Sequence, residues 1–259
     1  NVTFLVRSQM IKSEDVDIRN NFETTFKQSH DVRLGVTPTE IRYENNQFIT
    51  TCSDGTTLQT EQCLVAAGIT PNSDLLKLEK TSIKYCSKGF IQVDNACETS
   101  VPNVFAFGDI IGRYQFRHSA NFEGQHLFDS VIRKGKKQPL HYPPMPHAVF
   151  TNPQVASVGL TEDQCIEQSI KFMVGKNLYK DSAMGMALRS ETDMVKLIFE
   201  QETNKLIGAH IIGKEAASMI HILIIGINLG ITAEQLQSMI YVHPALPEVI
   251  RNAARKVKL

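Results

Sequence analysis

Four prolines fall within eight residues, at Pro139, Pro143, Pro144 and Pro146. Each removes an amide donor and fixes φ, so neither a helix nor a central strand can run through this stretch, which reads as a linker. The chain on either side follows different patterns. Upstream, residues 2–6 read as a short buried strand. Residues 14–28 place Val16, Ile18, Phe22 and Phe26 at helical spacing behind an acidic first turn. Residues 41–44, 47–52 and 57–58 then form an expected antiparallel meander, with reversals at Asn45-Asn46 and Asp54-Gly55. Residues 63–67 read as a fully buried strand ending at Gly68. Two short strands are expected at 91–93 and 104–107, the second stopping at Gly108-Asp109, followed by a helix over 119–134.

Downstream, strands are expected at 148–150, 155–158, 171–178, 194–200 and 206–212, and Thr161 with Glu162 and Asp163 has the form of a helix N-cap and acidic first turn. An apolar helix over 214–228 closes at Gly230, a short helix starts near Thr232, and a third spans 248–256. This order predicts an α/β part made of partial dinucleotide-binding, Rossmann-like domains. An α+β domain with an antiparallel sheet and helices follows. The expected boundaries are 1–72, 73–140 and 141–259.

Bulk properties narrow the function. Lys plus Arg and Asp plus Glu number 27 each, so no net field recruits nucleic acid or an anionic membrane. The longest apolar run, around 220–227, is broken by His221 and Gly226 and is far short of the ~20 residues of a membrane span. The hydrophobic content of 42% suits buried cores, and a soluble protein is expected. No signal peptide is visible, and without an initiator methionine the chain reads as beginning inside a longer protein. The five cysteines are widely spaced with no C-x-x-C pair, which suits free thiols in a reducing cytoplasm. His118, His126, His141, His147, His210 and His221 show no metal-ligand spacing, so no metal site is expected. The basic cluster at 134–137 reads as a solvated helix end.

Three segments carry chemistry. In the first, residues 99–109, a strand ends in Gly108-Asp109. That puts a carboxylate at the carboxyl edge of a sheet, where α/β folds bind ligands, although an ordinary loop aspartate gives the same pattern. In the second, residues 65–72, a strand runs into a glycine turn at Gly68. In the third, His243-Pro244-Ala-Leu-Pro247-Glu248, a carboxylate five residues on can orient the imidazole through one ring nitrogen while the other faces a reacting group. A histidine that simply caps the helix near Pro247 fits the third segment equally well.

In this order and spacing the segments resemble the class I pyridine nucleotide-disulfide oxidoreductases, the family of dihydrolipoamide dehydrogenase and the mycothione, glutathione and mercuric reductases. The stretch 148–162 resembles that family's entry into its interface domain, and residues 206–210 its central strand. The resemblance implies FAD and NAD(P)H as cofactors, a homodimer, and a lipoamide or small disulfide substrate. Asp109, beside Gly108, would bond the ribityl chain of FAD, and Phe116, Arg117 and His118 would lie along the pyrimidine edge of the flavin. Arg7 and Ser8 would sit where the adenosine ribose is read, and the arginine tilts the reading toward NADPH. Gly68 would lie near the nicotinamide. His243-Pro244, often a cis peptide in this family, would face the partner subunit's flavin, with His243 as acid–base catalyst polarised by Glu248. A histidine at this position and a cysteine-free C-terminus disfavour mercuric reduction, and the resemblance leans to the dihydrolipoamide branch over the mycothione branch. No G-x-G-x-x-G and no C-x-x-x-x-C occurs in these residues. The polypeptide alone is therefore expected to lack reductase activity and to bind FAD poorly. The alternative is a catalytically silent dimerisation module.

Overall fold

Ile18, Phe22 and Phe26 repeat every four residues and so line one face of a helix. In the computed structural model, which describes residues 1–257, they are 0%, 1% and 7% exposed. The described residues form two units, one joining Asn1–Cys63 to the chain from Pro146 onward and the other spanning Leu64–Met145. The first unit opens with β1 (Thr3–Val6), α1 (Val16–Ser29) and β2 (Asp31–Leu34), the two strands pairing in parallel. Strand β1 is half-buried along its length, not fully buried as the apolar run suggests, because β2 is its sole neighbour. Asp15 caps α1 by accepting from the Asp17 amide at 3.0 Å. The meander follows as β3 (Pro38–Glu44), β4 (Gln47–Cys52) and β5 (Thr57–Thr60), and Asn45 and Asn46 take the positive φ that its first two-residue turn demands.

Where the first unit gives way to the second, residues 63–67 do not form the expected buried strand. No strand covers them, and Leu64 and Val65 are 91% and 75% exposed. An apolar run becomes a central strand only where neighbours take its amides, and among the described residues the parallel sheet holds β1 and β2. The strands expected at 91–93 and 104–107 reduce to isolated bridges, Tyr85 with Ile91, Val93 with Thr99 and Glu98 with Phe105. The chain reverses too often for ladders to extend, with Cys97 and Asn103 both at positive φ. Gly108–Ile111 forms a 3-10 turn, and α2 (Arg117–Leu127) continues in π-helical turns over Phe128–Arg133.

From Pro146 the first unit resumes. The strands β6 (His147–Val149), β7 (Val155–Gly159), β8 (Phe172–Leu178), β9 (Met194–Glu200) and β10 (Leu206–Ile212) make an antiparallel sheet in the order β6-β7-β10-β9-β8. Its helices are α3 (Glu162–Glu167), α4 (Ala183–Ala187), α5 (Ala216–Leu229), α6 (Ala233–Ser238) and α7 (Glu248–Arg255). Thr161 and Thr232 form reciprocal capping boxes with Gln164 and Gln235, and Gly230 closes α5 in the left-handed region.

Both faces of the sheet are covered. Val195, Leu197 and Phe199 of β9 point into the core shared with α5 and α7, while Met194 belongs to the cluster around Phe22 and Phe26 of α1. Helix α7 buries Val249, Ile250, Ala253 and Ala254 and lies so close to β8 that a Cβ on Gly175 would stand 2.2 Å from the Ala253 carbonyl oxygen. That approach fixes the helix whose first residue is Glu248. In α5 Met219, Ile220, Leu223, Ile224 and Ile227 all pack on the unit's own core. The solvent side of the helix carries Ile222, Ile225 and Leu229 instead, the last two 60% and 80% exposed.

Candidate functional site

The His243–Pro244 peptide bond is cis, as is Asn152–Pro153. His243 Nδ1 lies 3.2 and 3.1 Å from the two Glu248 carboxylate oxygens. An ionised carboxylate only accepts, so Nδ1 carries the proton of this bond and Nε2 is left as the acceptor. The His243 side chain is 68% exposed, whereas that of Glu248 is 8% exposed. The histidine is therefore not a core residue, and its ring bonds the carboxylate of the helix start rather than capping backbone amides.

Glu248 accepts two further bonds, from the Ala245 amide at 3.2 Å and from Arg251 Nη2 at 3.1 Å. The Ala245 amide first, then His243 and Arg251, hold the carboxyl below its usual range against the opposing effect of desolvation. Arg251 was missed in the sequence, although an arginine three residues after a glutamate on a helix is a recognisable signal. Its guanidinium also lies over the Tyr241 ring, 5.5 Å from the centroid. The chain leading to the histidine is apolar and open to solvent, with Ile240 fully exposed and Val242 79% exposed.

In the second unit, Gly108 is buried at φ +77°, and a Cβ there would meet that of Ala120 on α2 at 3.2 Å. The turn bearing exposed Asp109 is thus seated against the helix that opens at Phe116 and Arg117. The Phe116 and His118 rings stack at 5.0 Å, and Arg117 Nε donates to Asn121 at 3.3 Å. A second missed residue, Glu123 of α2, is fully buried. It accepts from the Gly108 amide at 2.5 Å and from the Tyr142 hydroxyl at 2.7 Å. Burial first, and then this bond, push the Tyr142 phenol up to about 12. An exposed carboxylate on a glycine turn, beside the start of a helix, suits a polyhydroxyl chain and an electron-rich ring edge. The fit to a flavin is therefore good.

Arg7 and Ser8 are exposed directly beyond the carboxyl end of β1. Gly68, at φ +129°, lies in the exposed irregular segment and not at a strand exit. Among the described residues no group of three or more His, Cys, Asp or Glu is placed to hold a metal ion, and no helix is long and apolar enough to cross a membrane.

Comparison with known proteins places the chain in a family. Residues 1–124 match the pyridine nucleotide-disulphide oxidoreductase domain, and residues 145–254 match the dimerisation domain of the same proteins. The chain belongs to the class I pyridine nucleotide-disulfide oxidoreductase family. It is 34% identical to the dihydrolipoyl dehydrogenase of Geobacillus stearothermophilus, over 94% of this chain and 49% of that protein. It is 37% identical to the mycothione reductase of Mycobacterium tuberculosis, over 77% of this chain and 44% of that one. It thus spans about half the length of these relatives. The solved structure of the HOCl-induced flavoprotein disulfide reductase RclA from Escherichia coli superposes with a TM-score of 0.91 at 25% identity, covering all of this chain and 60% of that one. LpdA from Mycobacterium tuberculosis, at 22% identity and a TM-score of 0.84 over 93% of this chain and 53% of that one, shares the fold.

Proposed function

We propose that this chain is the C-terminal portion of an FAD-dependent NAD(P)H:disulfide oxidoreductase, of the dihydrolipoamide dehydrogenase type, in which His243 carries protons for thiol–disulfide exchange in the partner subunit of a homodimer. The observation that carries the reading is the His243–Glu248 pair: a solvent-facing imidazole held at Nδ1 by a buried carboxylate. Thiolate is the attacking species in exchange, so a group that takes the thiol proton and returns it to the leaving sulfur speeds both directions near neutral pH. The ring is largely exposed, as such a role requires. The exposed apolar residues Ile222, Ile225, Leu229, Ile240 and Val242 would be covered by the second copy.

FAD, when bound, supplies the two-electron relay between nicotinamide and sulfur. Asp109 would hold its ribityl hydroxyls, with Glu123 fixing the turn that presents Asp109 and the start of α2 facing the ring edge. Arg7 and Ser8 would contact the adenosine ribose, and the arginine favours a 2′-phosphate and hence NADPH. The redox cysteine pair belongs to chain outside these residues.

In the intact flavoprotein, His243→Ala should slow reduction of a lipoamide disulfide at least a hundredfold, the usual scale of acid–base catalysis. Flavin reduction by the nicotinamide should stay near its original rate. Stopped-flow absorbance separates the two half-reactions, and equal loss of both would contradict the assignment. Parallel assays with lipoamide and other low-molecular-weight disulfides, each with NADH and NADPH, would fix the substrate branch and the nucleotide.

A further inference from the structure

We infer that Arg251 is a positioning residue that sets the proton affinity of His243 through the carboxylate they share. The inference rests on the reading of His243 as a proton carrier but is tested without it. A carboxylate whose whole charge faces one imidazole favours the imidazolium strongly and makes it reluctant to release its proton. Here Glu248 Oε1 is held at 3.1 Å by Arg251 Nη2, and the same oxygen lies 3.2 Å from His243 Nδ1. The guanidinium is a permanent cation. Part of the carboxylate's charge is therefore already balanced when the ring takes a proton, and the ring can return it.

The arginine is held in place for this. Its side chain is 21% exposed, it sits one helical turn from Glu248 on α7, and the Tyr241 ring covers it. Tyr241 is itself anchored by its hydroxyl to the Leu236 carbonyl at 3.1 Å, and burial, only partly offset by Arg251, pushes its phenol up, so it stays neutral. Charged groups on the elements packed against α7 are engaged elsewhere. Lys176 of β8 and Lys196 of β9 pair with Asp17 and Glu162, Glu200 of β9 accepts from Thr203, Glu234 of α6 bonds Asn204, and Lys256 pairs with Asp181. Among the described residues Glu248 has ion-pair contacts with His243 and Arg251 alone.

The test follows the His243 ring signals by NMR across pH in the chain with its native sequence, in R251M, in R251K and in E248Q. At fixed pH near neutrality R251M should raise the ratio of protonated to neutral ring by about threefold or more, R251K should stay near the native ratio, and E248Q should lower it. An R251M titration that superimposes on the native one, with E248Q still shifted, would overturn the role of Arg251 and leave the His–Glu pair standing. A native-like E248Q titration would mean the pair itself is not coupled. If R251M fails to fold, R251Q, a shorter neutral side chain that keeps an amide donor, should show the same rise, and a native ratio in R251Q would overturn the inference equally.

Discussion

Two clusters in the first unit join cations to carboxylates, and they differ chiefly in which partner is buried. At His243 the carboxylate is inside and the nitrogen base outside. Across the sheet the register aligns His147, Ser157, His210, Lys196 and Lys176, one residue from each of the five strands. Lys196 is 0% exposed and contacts Asp15, Asp17 and Glu162 at 2.5 Å each. Glu14 accepts from Ser157 at 2.6 Å and also bonds His147, while His210 contacts Ser157 at 3.1 Å and the Leu160 carbonyl at 3.0 Å. The start of α1 is thereby bonded into the face of the sheet. Perturbed ionisable groups mark function only where one of them can meet a reactant. The Lys196 cluster meets none and acts as a fastener.

The comparison predicts its largest effect at Lys196. Lys196→Met removes the buried cation and leaves the buried Asp15 without its lysine, with Lys176 alone to pair Asp17 and Glu162, which should cost about 3–5 kcal/mol of unfolding free energy. A urea melt of the variant with a native midpoint would show that the cluster does not hold α1.

Acid should act on the same cluster. Burial raises the carboxyls of Glu14, Asp15 and Asp17, but the His147 and Ser157 bonds on Glu14 and the lysine bonds on the two aspartates outweigh it, and all three lie below their usual 4.5, 3.8 and 3.8. Groups depressed on folding contribute stability above their unfolded values and lose it as pH falls through the folded ones. The urea midpoint should therefore drop steeply below about pH 4. His147 has the opposite sign. Its bond to Glu14 raises it above 6.5, so its contribution is complete below that value and is lost as pH rises through the raised one. Glu14→Gln should flatten both limbs, and an unchanged profile would move the acid sensitivity elsewhere in the chain.

Little of this second cluster was legible in the sequence. Period-2 alternation in 194–200 shows a strand, but whether Lys196 points to water depends on what α1 brings to the sheet from 180 residues away, and no local pattern encodes that. The His243–Glu248 pair was legible because its members are five residues apart and share one turn into a helix. The downstream strands and helices were also readable, since each buries one periodic face and carries its own caps. The run 63–67 misled because its apolar residues match those of a central strand, whereas burial requires neighbours that strand spacing alone does not supply.

The smallest stability effect is predicted at the exposed pair, and it separates the two regions most sharply. His243→Ala removes a ring that is 68% exposed and leaves Glu248 with its bonds from the Ala245 amide and Arg251. The carboxylate therefore remains compensated, and the melting free energy should change by no more than about 0.5 kcal/mol, the scale of a surface substitution. The same variant is expected to lose most of its disulfide exchange. A residue that carries chemistry but not the fold gives this combination, whereas one that fastens the fold loses both together. A His243→Ala protein that melts as early as Lys196→Met would place the imidazole with the fasteners and remove the reason to assign it proton transfer.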